Sequence, residues 1–206
     1  MTAVGLRERK KEKTRLALLD AALDLFLEQG YDSTTVEQIA GSVDVSARTF
    51  FRYFQNKDHI PLWFHDQGEE TMRAVMRERP ADEPPFTSLM HALRAVIQSM
   101  RESTSEDGAR FLKLRRLLET NPALVGKSVA RGSETERRLA EDVAARRGTD
   151  PETDQIAHLI VAFAMGVMRV GFECPPVEAD SLHDVVDRME TTIELAENSL
   201  RPGWDV

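Results

Sequence analysis

Between Ser46 and Phe54 the chain reads Ser-Ala-Arg-Thr-Phe-Phe-Arg-Tyr-Phe, with Arg48 and Arg52 four residues apart and no acid between them. A second basic run lies upstream, where Arg7, Arg9, Lys10, Lys11, Lys13 and Arg15 face only Glu8 and Glu12. Clusters of this kind are suited to meeting phosphates. The formal net charge of −8 argues the other way until its distribution is read. Residues 1–58 hold nine Lys/Arg against nine Asp/Glu, and the remainder holds 18 against 26. The negative excess therefore lies downstream, giving a neutral head with two basic clusters and an acidic body.

Other chemistries find no support. His59, His65, His91, His158 and His183 are scattered, and the chain shows no metal-ligand spacing, nucleophile elbow or glycine-rich phosphate loop. Neither catalysis nor a cofactor or metal is expected. The single Cys174 cannot close an intramolecular disulfide, and no basic-then-apolar leader opens the chain, so a cytoplasmic protein is expected. The longest apolar stretch, Ile156 to Phe172, is short for a membrane span and carries His158 and Arg169. It reads as a buried helix, and no membrane partner is expected.

The elements around the basic-aromatic segment follow from local pattern. Leu19, Ala22, Leu23 and Phe26 mark one face of a helix that ends near Gln29, where Gly30 supplies a permissive terminus. Thr34 with Glu37, or Thr35 with Gln38, fits a capping box for a two-turn helix with Val36, Ile39, Ala40 and Val43 on its inner stripe. Asp44, Val45 and Ser46 then form a turn, with Val45 placed to plug between helices and Ser46 to cap a third helix from Ala47 to Tyr53. Two short helices so joined make a helix-turn-helix, whose second member enters a DNA major groove with its N-terminal side chains at base edges.

These residues resemble the tetracycline-repressor (TetR) family of bacterial transcription regulators. The likeness rests on Thr14-Arg15, Ala21-Ala22, Leu25-Phe26, Gly30-Tyr31, Thr34-Thr35-Val36, Ile39-Ala40, Val45-Ser46, Thr49-Phe50, Tyr53-Phe54 and Asn56-Lys57. It implies that Arg48, Thr49 and Arg52 read or approach bases, that Phe51 offers an apolar contact to a thymine methyl, and that Ser46 belongs to the same surface. It also implies that Tyr53, Lys57 and Thr34 or Thr35 anchor phosphates. Two positions depart from the family pattern: Arg48 stands where Gly is frequent, and Phe51 where Tyr is usual. The operator should differ accordingly. The run from Phe50 to Phe54, with Lys57 and Ile60-Pro61, also resembles the acyl-CoA-responsive and mycofactocin-type subgroup.

Downstream, helical patterns follow to about Arg79, then over Phe86–Glu102, Glu106–Thr120, Pro122–Arg147, Glu152–Phe172 and Ser181–Leu200, with a break at Pro80 to Pro85. The expected class is all-α with about nine helices, Gly126 and Gly132 being points where the seventh can split. A DNA-binding domain is expected over 1–58 and a ligand-binding and dimerisation domain over 59–206. In the last helix Leu182, Val185, Met189, Ile193, Ala196 and Leu200 form one apolar stripe, which is either a homodimer face or packing within its own body. Its neighbour carries Ala157, Ala162, Ala164, Gly166 and Gly171, small enough for close helix approach. Family members dimerise through such a four-helix interface, and two heads roughly 34–36 Å apart read a palindromic operator in double-stranded DNA.

The body also supplies material for an effector pocket: Phe64, Met90, Ile97, Phe111, Leu114, Phe163 and Met168 as apolar lining, with Gln67, Arg94 and Arg115 to orient a ligand. An inward arginine needs an anion, which points to an acidic or acyl-type small molecule. The reading is a ligand-released repressor. The alternative is a DNA-binding module controlled by a protein partner without a small-molecule effector.

Overall fold

The computed structural model describes residues 5–173 and 181–200, and the regular structure among them is nine helices without a strand. They are α1 (Leu6–Gln29), α2 (Val36–Ser42), α3 (Ala47–Phe51), α4 (His59–Glu78), α5 (Pro85–Arg101), α6 (Ser105–Thr120), α7 (Pro122–Arg147), α8 (Gln155–Glu173) and α9 (Leu182–Ser199). The all-α expectation holds. α7 runs unbroken through Gly126 and Gly132, because helical glycine costs only about 1 kcal/mol relative to alanine. Cys174 lies outside the described residues.

The chain divides into two units, Met1–Phe64 with Ala109–Lys127, and His65–Gly108 with Ser128–Val206. The first is built on Leu18, Leu19, Leu23, Phe26, Ile39 and Phe50, all essentially without solvent contact. Leu114, Leu117 and Leu124 enter the same core from α6 and α7. Ion pairs accompany them: Arg110 Nε reaches Asp20 at 2.6 Å, Lys113 pairs with Asp24, and Lys127 Nζ reaches Asp58 at 2.7 Å. The first unit thus takes in the elbow between α6 and α7 beside the expected segment 1–58.

In the second unit α5, α8 and α9 pack on one another. Val185, Met189 and Ile193 of α9 are buried within the protomer, and Leu182, Ala196 and Leu200 are half-buried. Within the protomer the apolar side of that stripe faces its own α5 and α8. The small residues of α8 divide in the same way. Ala157, Ala164 and Gly171 are buried, whereas Ala162 is exposed and a Cβ at Gly166 would meet nothing within 4 Å. A Cβ at Gly171 would lie 2.9 Å from Met189 Cα, so only hydrogen fits where α8 crosses α9. Gly171→Ala should therefore destabilise by about 1–3 kcal/mol through forced separation of the two backbones. Gly132→Ala, in open space, should stabilise by up to about 1 kcal/mol. Urea denaturation of the two variants checks the contrast.

α8 is not the buried helix its composition implied. Only 28 % of the window Gln155–Phe172 is buried, although its length and apolarity match those of a membrane span. Ile156, Leu159, Phe163 and Val170 form an exposed row at spacings of three, four and seven, the periodicity of a single helical face. Ion pairs tie α4 to α7 in this unit. Arg131 holds Asp66 at 2.6 Å and Arg73 holds Asp142 at 2.6 Å, while Arg146 donates to the carbonyls of Met76 and Pro80. Between them, buried Glu69 accepts from Thr135 at 2.7 Å and from Arg138 at 2.6 and 2.9 Å.

Candidate nucleic-acid interface

Local chemistry shapes the α2–α3 pair. Thr35 Oγ1 accepts from Gln38 N at 3.2 Å while Gln38 Oε1 accepts from Thr35 N at 2.8 Å, so the Thr35/Gln38 box forms rather than Thr34/Glu37. α2 ends at Ser42, and Asp44 turns the chain with φ 55°, a left-handed conformation that aspartate tolerates. Val45 packs on the head core. Ser46 then caps α3, its Oγ accepting from Thr49 N at 3.2 Å. α3 ends at Phe51, two residues before the expected Tyr53. Buried Phe50 and Phe54 fix its inner side, their ring centroids 5.6 Å apart.

The outer side presents Ser46, Arg48, Phe51 and Arg52, all exposed, with Thr49 partly so. Arg48 makes no ion pair or side-chain hydrogen bond among the described residues. Arg52 is held: Nη2 donates to Tyr53 Oη at 3.2 Å and the guanidinium lies 5.1 Å from the Tyr53 ring centroid. Tyr53 itself is half-buried against the core. Exposed Thr35 keeps its hydroxyl hydrogen free to donate, because its capping bond uses only the oxygen as acceptor.

Two expected phosphate anchors have their polar atoms engaged within the head. Thr34 is 1 % exposed, with Oγ1 donating to Gly30 O at 2.8 Å, so its hydroxyl is sequestered at the end of α1. Lys57 Nζ donates to the carbonyls of Tyr31, Asp32 and Thr34 at 2.8, 3.4 and 3.1 Å and sits 4.5 Å from the Tyr31 ring centroid. Its three donors are thus engaged with the α1–α2 loop. The same cluster holds the Tyr31–Asp58 hydrogen bond. Burial, then the bond to Asp58 and its charge, push the Tyr31 phenol above its ordinary value. Burial alone would raise the Asp58 carboxyl, but bonds from Lys127 and Tyr31 and the charges of Lys127 and Lys57 outweigh it and lower the pKa. The cluster was invisible in sequence because Tyr31, Lys57 with Asp58, and Lys127 are far apart along the chain and meet only in the fold.

The expected effector residues are divided between the two units. Phe64, Phe111, Leu114 and Arg115 belong to the first unit, where Phe111 and Leu114 are buried and Arg115 bonds Glu119 at 3.1 Å. In the second unit Met90 and Ile97 are each 1 % exposed, Gln67 and Met168 are half-buried, and Phe163 faces outward. Arg94 is paired with Glu197 at 2.5 and 2.6 Å, which removes the argument for an anionic ligand at that arginine. A surface groove of about 330 Å³ in this unit is lined by Arg94, Ala95, Gln98, Glu190 and Glu194, a polar set. No group of three or more metal-ligating side chains occurs among the described residues.

Comparison with known proteins places the geometry. Residues 18–60 match the family described as Bacterial regulatory proteins, tetR family, and residues 84–200 match the MftR C-terminal domain. The HTH-type transcriptional regulator TcmR of Streptomyces glaucescens is 40 % identical over 200 residues, covering 96 % of this chain and 87 % of TcmR. The chain belongs to the TetR family. It is a DNA-binding transcriptional regulator of that family and not an enzyme. MftR of Mycobacterium tuberculosis is 25 % identical over 166 residues, covering 80 % of this chain and 81 % of its own. Two solved TetR-like structures share the fold. NalD, the secondary repressor of the MexAB-OprM multidrug efflux pump in Pseudomonas aeruginosa, aligns with a TM-score of 0.55 at 23 % identity, over 94 % of this chain and 99 % of that one. A SmeT–triclosan complex aligns at 0.53 and 22 %, over 93 % of each chain.

Proposed function

We propose that this TetR-family regulator is a repressor that occupies a palindromic operator as a homodimer, works in the cytoplasm, and is released by a small, largely apolar effector. The observation that carries the reading is the outer side of α3. Arg48, Phe51 and Arg52 stand exposed on a helix whose other side is locked by two buried phenylalanines. That is a rigid reading surface. The exposed α8 row supplies the dimer face in place of the α9 stripe, and this role accounts for an apolar helix that is largely uncovered in one protomer. NalD is named a repressor and SmeT is bound to triclosan, which favours repression and an apolar effector.

A second reading, control by a protein partner alone, is favoured by the tight burial of Met90 and Ile97 and by the polar lining of the 330 Å³ groove.

A shift assay on the intergenic DNA beside the protein's own gene, at controlled salt, tests the reading. The wild type should bind saturably with affinity that falls steeply as salt rises. Arg48→Ala and Arg52→Ala should each lose roughly 1–3 kcal/mol at the operator while keeping the dimer. Release by apolar compounds separates the two modes of control. Binding unaffected by either substitution removes α3 as the reading element.

A further inference from the structure

The positive charge of the first unit comes from its elbow. Residues 1–64 balance nine Lys/Arg against nine Asp/Glu, whereas 109–127 adds Arg110, Lys113, Arg115, Arg116 and Lys127 against Glu119 alone. The unit therefore carries 14 cations against 10 carboxylates, and the rest of the chain 13 against 25. In a nucleic-acid binder such a surplus ordinarily serves phosphates. Three of the five elbow cations turn inward instead. Arg110 holds Asp20 with Nε at 2.6 Å and Nη2 at 2.8 Å, Lys113 pairs with Asp24, and Lys127 Nζ lies 2.7 Å from Asp58.

Each tie ends on an element that carries the helix-turn-helix. Asp20 and Asp24 stand one turn apart on α1, which packs on α2, and α2 packs on α3. Toward its C-terminal end α1 has Asp24 and Glu28 and no cation in its last turn, the sign that the helix dipole disfavours. Lys113 supplies the missing charge from α6. Asp58 also accepts from the Tyr31 hydroxyl, and the carbonyls of Tyr31, Asp32 and Thr34 hold Lys57. Through that cluster Lys127 bears on the α1–α2 loop, immediately before the Thr35 cap.

We propose that Lys113 and Lys127, together with Arg110, are positioning residues for DNA binding. They fix α1 and the α1–α2 loop in the geometry the duplex requires, acting through Asp24, Asp58 and Asp20 and not by touching phosphate. This rests on the DNA-binding role of the chain. Where a tie is missing, the head must be brought into shape on the duplex, so affinity falls while the phosphates engaged in the complex stay the same in number.

Random-site selection with the full chain supplies the operator, and affinity is then followed against salt. Lys113→Met and Lys127→Met should each weaken binding about tenfold, inside the roughly 2- to 30-fold span of residues that modulate binding without touching the ligand. Their plots of log affinity against log salt should run parallel to that of the wild type. Removing a lysine that meets phosphate takes about 0.9 from the slope, so a shallower slope in either variant overturns the positioning role. Double-mutant cycles then read the partner. Lys113→Met should cost nothing further in an Asp24→Asn background, and Lys127→Met nothing further in Asp58→Asn. Additive effects in both cycles, expected from direct contact or from net charge alone, overturn the proposal, as does wild-type affinity in both lysine variants. All four side chains are more than a third exposed, so the variants keep their fold, which helical content and melting check; Arg110, at 10 %, is left intact. A wild type for which selection returns no consensus removes the DNA-binding reading and this proposal together.

Discussion

Phe163→Glu should give a folded monomer that no longer holds its operator. Phe163 is 43 % exposed and lies mid-row on α8, flanked by Leu159 at 48 % and Val170 at 49 %. In a two-fold pairing of α8 with its symmetry mate the same row meets itself, so one substitution places two carboxylates in the buried seam. Leaving charges there unpaired costs several kcal/mol per ion. A linked pair of heads gains on the order of 10²–10⁴ in apparent affinity over a single head. Operator affinity should therefore fall by at least about 100-fold, with helicity and melting of the protomer little changed. Sedimentation and the shift assay together read the outcome. A truncation on the α9 stripe should behave in the opposite manner: Met189→Ala opens a cavity inside the protomer and should destabilise it by about 2–5 kcal/mol. If Phe163→Glu remains a dimer, the α8 row is not the interface.

Glu69→Ala should produce the largest loss of protomer stability among the ionic variants. The Glu69 side chain is 8 % exposed and collects Arg138, Arg131 at 3.2 Å and the buried hydroxyl of Thr135. Removing it takes one partner from each of two guanidiniums and the carboxylate acceptor from a buried hydroxyl. Breaking a buried pair from one side costs about 3–5 kcal/mol. Here the low end applies, because Arg131 retains Asp66, both arginines retain Glu134, and each is about one-fifth exposed. Expected is a loss of about 3 kcal/mol, equivalent to a melting shift of roughly 6–12 °C in a chain of this size. Glu134 touches the same two arginines but is 49 % exposed. Glu134→Ala should cost less than about 1 kcal/mol. Equal losses in the two variants would show that burial does not set the strength of this cluster.

Much of the reading head was legible because its determinants are local. The Thr35/Gln38 box, the Ser46 cap and the Gly30 terminus are each contained within four residues, and the structure contains all three. Periodicity carried less information elsewhere. An apolar stripe announces that a face is covered but not by what, so the α9 stripe was open to two readings and the exposed row on α8 escaped notice. The partners of Lys57 were hidden for a related reason. A cation beside a helix-turn-helix suits phosphate, but the carbonyls that bind it come from residues 31, 32 and 34, and only the fold brings them to it. Phe51 was singled out by residue type, whereas its edge-on contact with Phe50 is set by the fold.

The presence of the α6–α7 elbow in the head core bears on how the molecule is made. Leu18, Phe26 and Phe50 share their core with Leu117 and Leu124, which the ribosome adds roughly 90 residues after the end of α1. At about 5–20 residues per second, the 63 residues from His65 to Lys127 take roughly 3–13 s to synthesise. During that interval the helix-turn-helix has emerged with one wall of its core missing. A nascent chain that ends before Leu117 therefore leaves Leu18, Phe26 and Phe50 without the leucines that complete their core.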